Sequence, residues 1–250
     1  MDTRSIESKS VPADLVKRIA AMFPSFAQEW MDDRTRTQAV VYLLKTEMPD
    51  LILVHLVDLD AEQHDNGPFT REANAILEYT DELIGQMMAA LPAGYAMALV
   101  SDHGFERVNS MVNIQALAAR QGVTGIQSHG GIAIADDAAG SAFLRATAKD
   151  PQYGVGRQIP KDELAQFAPQ LMKADAVFEP AEGFMFASSG DIVGKPHEKG
   201  NHGHWPTRYR AVFVLWGPGI PPAKLPEISQ KDIAGKLAAV IGIPFTPGKK

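Results

Sequence analysis

An α/β fold is what this sequence predicts, and three observations predict it. Two short apolar runs, Leu51–Val57 and Tyr95–Val100, are each bounded by breakers, as strands are. Between them, Thr70–Leu91 carries the apolar stripe of an amphipathic helix. The third is length: 250 residues can bury one sizeable core. A strand, helix, strand order implies a right-handed crossover joining parallel strands. Both strand carboxyl ends then share one sheet edge, where ligand crevices of open α/β sheets form.

Along the chain, residues 11–47 place Leu15, Ile19, Met22 and Phe23, then Ala39, Val40, Leu43 and Leu44, at helical intervals, with an interruption at Pro24. Pro49-Asp50 stops the second helix. Leu51–Val57 is nearly continuous in apolar residues, which fits a strand covered on both faces and makes His55 a core histidine. Thr70 caps the next helix, with Glu72 in its first turn, and Pro92-Ala-Gly94 ends it. Further on, Ile132–Ile134 and Gly183–Ala187 read as short strands and Lys161–Lys173 as a helix. Ala211–Trp216 is a clear strand, and Asp232–Ile241 a last helix stopped by Gly242. One domain over 1–250 is expected, with 110–198 as a cap-like insertion arching over the crevice.

A net charge of −6, without a dense Lys/Arg run, argues against a groove for the nucleic-acid backbone. No apolar stretch approaches the ~18 residues that cross a bilayer. The opening Met1-Asp-Thr-Arg-Ser-Ile-Glu7 has no apolar core, so it does not read as a signal peptide, and localisation is not legible. The absence of cysteine removes disulfide and thiolate chemistry.

Three clusters place carboxylates beside imidazoles: Asp60-Ala-Glu-Gln-His64, Ser101-Asp102-His103-Gly104 and Gly200-Asn201-His202-Gly203-His204. The first two follow the apolar runs directly, so the fold itself brings them to one edge. Asp60, His64 and His202 make a three-ligand set with an open position, the pattern of a catalytic zinc site, and the mixed nitrogen and oxygen shell suits manganese less well. Asp102 and His103 would serve a second ion. His202 precedes its strand, so it reaches the crevice edge if that strand runs antiparallel or the loop is long. His204 is an alternative to His202 or a substrate contact. Asp58 is a substitute ligand or, more simply, a solvated or supporting carboxylate. Phe105, Phe184, Phe186 and Trp205 are aromatic groups available for stacking or for core packing.

Together these clusters resemble the second half of the alkaline phosphatase superfamily, most closely its type I phosphodiesterase/nucleotide pyrophosphatase branch. There a strand ending in Asp-x-x-x-His-x-x-Gly-Pro precedes a helix, Ser-Asp-His-Gly and a distant Gly-x-His-Gly loop before an apolar strand ending in Gly-Pro. Here these are Asp60 to Gly67-Pro68, Ser101 to Gly104, Gly200 to Gly203 and Ala211 to Gly217-Pro218, with Lys231-Asp232-Ile233-Ala234 similar to the family's Asp-Ile-Ala segment.

The resemblance implies a three-layer α/β/α sandwich with a mixed, mostly parallel sheet, incomplete on its N-terminal side. It implies hydrolysis of small phosphate esters at two divalent ions, most simply zinc. Asp60, His64 and His202 would hold one ion, Asp102 and His103 part of the other. The family's Thr or Ser nucleophile sits in a Thr-x-Pro-Asn turn and its remaining Asp at an Asp-Gly strand end, and neither motif occurs in this sequence. Thr207 and Ser188-Ser189 lack the strand and helix context to replace that nucleophile. A metal-binding remnant or subunit, self-associating or pairing with the missing half through an open sheet edge, is the alternative. Sulfatases and metal-dependent phosphomutases share parts of the pattern.

Overall fold

The structure, a computed structural model, describes residues 6–26 and 31–246; Met1–Ser5 of the polar opening and positions 27–30 of the first helical stretch lie outside the described residues. The amino-terminal part is helical: α1 (Leu15–Met22), α2 (Asp33–Thr46), α3 (Asp58–Asn66) and α4 (Arg71–Ala89). Then come β1 (Met97–Val100), β2 (Glu106–Arg107), β3 (Ser110–Val112), α5 (Ile114–Arg120), β4 (Ile126–His129) and β5 (Ile132–Ala135). These are followed by α6 (Ala138–Thr147), β6 (Val155–Gln158), α7 (Lys161–Phe167), β7 (Ala176–Pro180) and β8 (Phe184–Phe186). The chain closes with β9 (Val193–Gly194), β10 (Gly200–Asn201), β11 (Phe213–Trp216) and α8 (Ile233–Val240). Two compact units result: Met1–Leu59 with Ile76–Asp102 and Ala211–Lys250, and Asp60–Ala75 with His103–Arg210.

In the first unit α2 begins where Asp32 Oδ1 accepts the Thr35 N–H at 2.7 Å, an N-cap that satisfies one free helix donor. Its buried Val40 and Leu44 pack against Met87 of α4, and Ile52, Leu56, Tyr95 and Met97 cover the same cluster. β11 pairs with β1 antiparallel, Met97 opposite Trp216 and Val100 opposite Phe213. This direction brings the end of the loop before β11 beside the carboxyl end of β1, where Ser101 N–H donates to the Val212 carbonyl at 3.0 Å.

Leu51–Val57 departs from expectation: it carries no strand ladder, and the predicted parallel pairing with 95–100 is not formed. Ile52 and Leu56 pack inward, whereas Leu53 is 81% exposed, and Leu51, Val54 and His55 are exposed too. Apolar character predicts burial only where both faces find cover. Here α2 and α4 cover one side, and the core histidine reading of His55 fails with the other.

The second unit holds most of the deep core. β3 is flanked by parallel β8 and antiparallel β9, and β4, β5, β7 and β6 form an antiparallel sheet in that order. Val112, Ile114, Ala133, Leu144, Phe178 and Phe186 fill the space between these sheets and α5 and α6. The predicted helix over 161–173 stops at Phe167 and resumes as a 3₁₀ turn at Pro169–Lys173, because proline cannot donate to the helix ladder. No helix among the described residues is long and apolar enough to cross a membrane.

Candidate metal centre

The Asp60–His64 segment is helical, although its sequence carries no apolar stripe and α3 has no buried residue. Tertiary hydrogen bonds replace that stripe at the helix start. The Asp33 carboxylate, 1% exposed, accepts the N–H groups of Val57 and Asp58 at 2.9 Å, and Asp58 Oδ2 accepts the Asp33 N–H at 2.9 Å. Arg36 Nη1 donates to Asp33 Oδ1 at 2.7 Å. Burial, the main cause, raises the Asp58 carboxyl above the usual range. Asp58 is thus the partner of Asp33, the supporting role weighed for it. Helix geometry then sets Asp60 and His64, four residues apart, on one face.

His202 arrives by a close backbone approach. Lys199 N–H donates to the His64 carbonyl at 2.8 Å at the end of α3, and β10 follows at once. A Cβ on Gly200 would lie 2.4 Å from the Gln63 carbonyl oxygen and 2.7 Å from Pro68 Cδ, so only glycine fits. β10 pairs with β2, Gly200 opposite Arg107 and Asn201 opposite Glu106, which sets His202 just past one strand end and His103 just before the other. Gly104 is required as well, since a Cβ there would meet Tyr209 Cβ at 2.9 Å. Gly200→Ala is therefore expected to cost a few kcal/mol, as overpacking against fixed backbone does. The same variant should weaken metal binding, and denaturant unfolding with and without zinc checks both effects.

The imidazoles converge on one carboxylate. His64 Nε2 lies 3.7 Å from Asp60 Oδ2; His202 Nε2 and His103 Nε2 lie 3.7 and 3.8 Å from Oδ1. One ligand atom each from Asp60, His64 and His202 lies within 4.8 Å of the others. Asp60 Oδ1 is shielded from solvent and accepts no hydrogen bond, although the side chain as a whole is 42% exposed. A carboxylate oxygen left without a hydrogen-bond donor among imidazole nitrogens fits a cation, so the donor set suits a divalent ion. The rings of His103 and His202 stack at 3.7 Å between centroids and 8° between planes. Phe105 touches all three imidazoles, edge-on to His64 at 4.8 Å and to His202 at 5.3 Å. It packs the histidine cluster, a role its sequence position did not suggest.

Two polar residues missed in the sequence complete the cluster. Glu198 Oε2 sits 2.9 Å from His64 Nδ1 and accepts from Asn201 Nδ2 at 2.8 Å, and Asn201 Oδ1 accepts the His202 N–H at 2.8 Å. No periodicity marks Glu198, whose partner is 134 residues away. His204 lies against Tyr209 at 5.4 Å, its two ring nitrogens shielded and without hydrogen-bond partners. Burial, then the charges of Arg208 and His202, push its pKa down to about 4. Asp102 ends the first unit, where its carbonyl accepts from Gln230 Nε2.

The remaining candidates serve packing. Phe186 and Trp205 are buried, and Phe184 packs on the main core. Trp205 Nε1 donates to Glu163, which Arg157 grips through two 2.9 Å bonds, and Arg157 also donates to Thr207 Oγ1. Thr207 is thus held in a structural network after the histidine loop.

The family model of type I phosphodiesterases/nucleotide pyrophosphatases matches residues 15–203. Among solved structures, the chain is similar to murine ectonucleotide pyrophosphatase/phosphodiesterase 5, at 16% identity and a TM-score of 0.64, covering 89% of this chain and 62% of that one. The human counterpart gives 16% identity and 0.62 with the same coverage. Phosphonoacetate hydrolase from Sinorhizobium meliloti, in complex with phosphonoacetate, gives 20% identity and 0.53, covering 76% of this chain and 52% of that one. These likenesses show the alkaline-phosphatase-like α/β fold, and the chain spans between half and two thirds of the length of each relative. No protein of curated function matches the sequence in direct comparison. With the family model covering most of its length, the chain belongs to the type I phosphodiesterase/nucleotide pyrophosphatase family of the alkaline phosphatase superfamily.

Proposed function

We propose that this chain provides the metal-binding part of a phosphate-ester hydrolase of the phosphodiester or nucleotide-pyrophosphate type, with Asp60, His64 and His202 holding one divalent ion, most simply zinc. The observation that carries the reading is the shielded Asp60 Oδ1, which accepts no hydrogen bond while His202 and His103 face it. His103 Nε2 and His202 Nε2 approach the same Asp60 Oδ1, and their rings stack with nearly parallel planes. His103, with Asp102, is assigned to a second ion on the resemblance to the family's two-metal sites. Bound divalent ions would supply Lewis-acid neutralisation of charge on the phosphoryl group.

The chain's own groups do the rest. His204, the candidate substrate contact, has both ring nitrogens shielded beside Tyr209, so it would have to turn outward before donating to a substrate oxygen. Asp60 would lend the anionic oxygen that holds an ion beside the imidazoles. The Thr-x-Pro-Asn turn has no counterpart among these 250 residues, so this reading assigns the attacking hydroxyl to a segment outside them.

A second reading, a non-catalytic metal-binding subunit, is favoured by the uncovered run at 51–56. Another chain, a second copy or one carrying the hydroxyl, would pair there. Zinc-loaded protein offered an activated aryl phosphodiester, with an aryl sulfate in parallel, tests these readings. Diester turnover that disappears with chelator and in His202→Ala would support the hydrolase reading and overturn the assignment of the attacking hydroxyl to another segment. Zinc binding without turnover is expected of both readings, which then part on whether turnover appears when a chain carrying the Thr-x-Pro-Asn turn is added; a protein that takes up no zinc overturns both.

A further inference from the structure

We infer that Glu198 is a positioning residue for the metal centre: its carboxylate fixes the His64 ring so that Nε2 faces the ion. The inference rests on the proposal that His64 is a ligand. A carboxylate can only accept, so the 2.9 Å contact of Glu198 Oε2 with His64 Nδ1 places the ring proton on Nδ1 and leaves the lone pair on Nε2. Nε2 is the nitrogen that lies 3.7 Å from Asp60 Oδ2. Histidines that ligate metals commonly donate their other ring N–H to a carboxylate, which sets tautomer, orientation and basicity together.

The same oxygen has a second task. Glu198 Oε2 also accepts from Asn201 Nδ2, and Asn201 Oδ1 holds the His202 N–H. One acid therefore ties the ring of one proposed ligand to the backbone of another. The contact exists because β10 runs past the end of α3, where Lys199 N–H caps the His64 carbonyl. That backbone bond stays when the side chain is removed. Glu198 is 47% exposed, so it contributes little as packing, and exposed ion pairs of this kind add little stability. Its contribution lies in the ligand it orients.

The test uses the full chain in three forms: wild type, Glu198→Ala and Glu198→Gln. Zinc affinity is read by competition with a chromophoric chelator, and the His64 tautomer by long-range proton–nitrogen NMR of the imidazole in the metal-free protein. Glu198→Ala is expected to bind zinc about 10–100-fold more weakly and to lose the pure Nδ1–H signature of His64. Glu198→Gln, whose amide oxygen can still accept, should recover part of both. Wild-type affinity together with an unchanged tautomer in Glu198→Ala would overturn the inference while leaving the metal site standing. Loss of the Nδ1–H signal when zinc binds to wild type would overturn it as well, since Nδ1 would then be the ligand atom. Failure of wild type to bind zinc would instead sink the reading of the site itself.

Discussion

Asp60→Ala is expected to reverse its effect on stability according to whether zinc is present. In chelator the variant should unfold within about 0.5 kcal/mol of wild type or be slightly more stable, because Oδ1 accepts no hydrogen bond and its removal breaks none. With zinc at about 100 times its dissociation constant, wild type gains about 2.7 kcal/mol from binding to the folded state alone. For a chain of this size that is about 5–10 °C in melting temperature. Asp60→Ala should show almost none of this gain, and His64→Ala likewise. Calorimetric scans of wild type and the two variants at pH 8, with zinc and with chelator, give the six numbers required. An equal zinc-induced rise in wild type and Asp60→Ala would remove Asp60 from the ligand set.

The second large effect belongs to Asp33, which touches no proposed ligand. Asp33→Ala leaves two backbone N–H groups, on Val57 and Asp58, without their acceptor and strands the buried Arg36 guanidinium. Breaking a buried pair from one side costs about 3–5 kcal/mol. Denaturant midpoints should fall accordingly, and α3 should lose its fixed start, so zinc affinity should drop although every ligand is intact. Asp33→Asn keeps the shape and one acceptor oxygen, and it should fall between wild type and alanine. A midpoint unchanged in Asp33→Ala would show that this network does not hold the helix start.

Much of this was legible from the sequence where local pattern and tertiary cover agree. The amphipathic stripe of α4 and the closing α8 appear within two residues of their predicted limits, and β11 occupies the last four residues of its predicted run. Asp60, His64, His103 and His202 do lie together, but not because two strand ends bring them there, since 51–57 forms no strand. Their local geometry was not legible either. α3 is too polar to show a periodicity, and it is helical because Asp33 supplies acceptors 24 and 25 positions away. Leu51–Val57 failed in the opposite sense, with a strong local pattern and no partner strand. Glu198 and Phe105 take their roles entirely from contacts, the kind of information a single sequence does not carry.

That unpartnered run has a kinetic consequence. Leu51-Ile-Leu-Val-His-Leu56 has high β propensity and contains no Asp, Glu, Lys, Arg, Gly or Pro to deter intermolecular strand addition. Pairing between two such segments is second order in protein, whereas folding is first order. Renaturation yield of the chain on its own should therefore fall as concentration rises, and a single lysine at Leu53, whose side chain already faces solvent, should flatten that dependence.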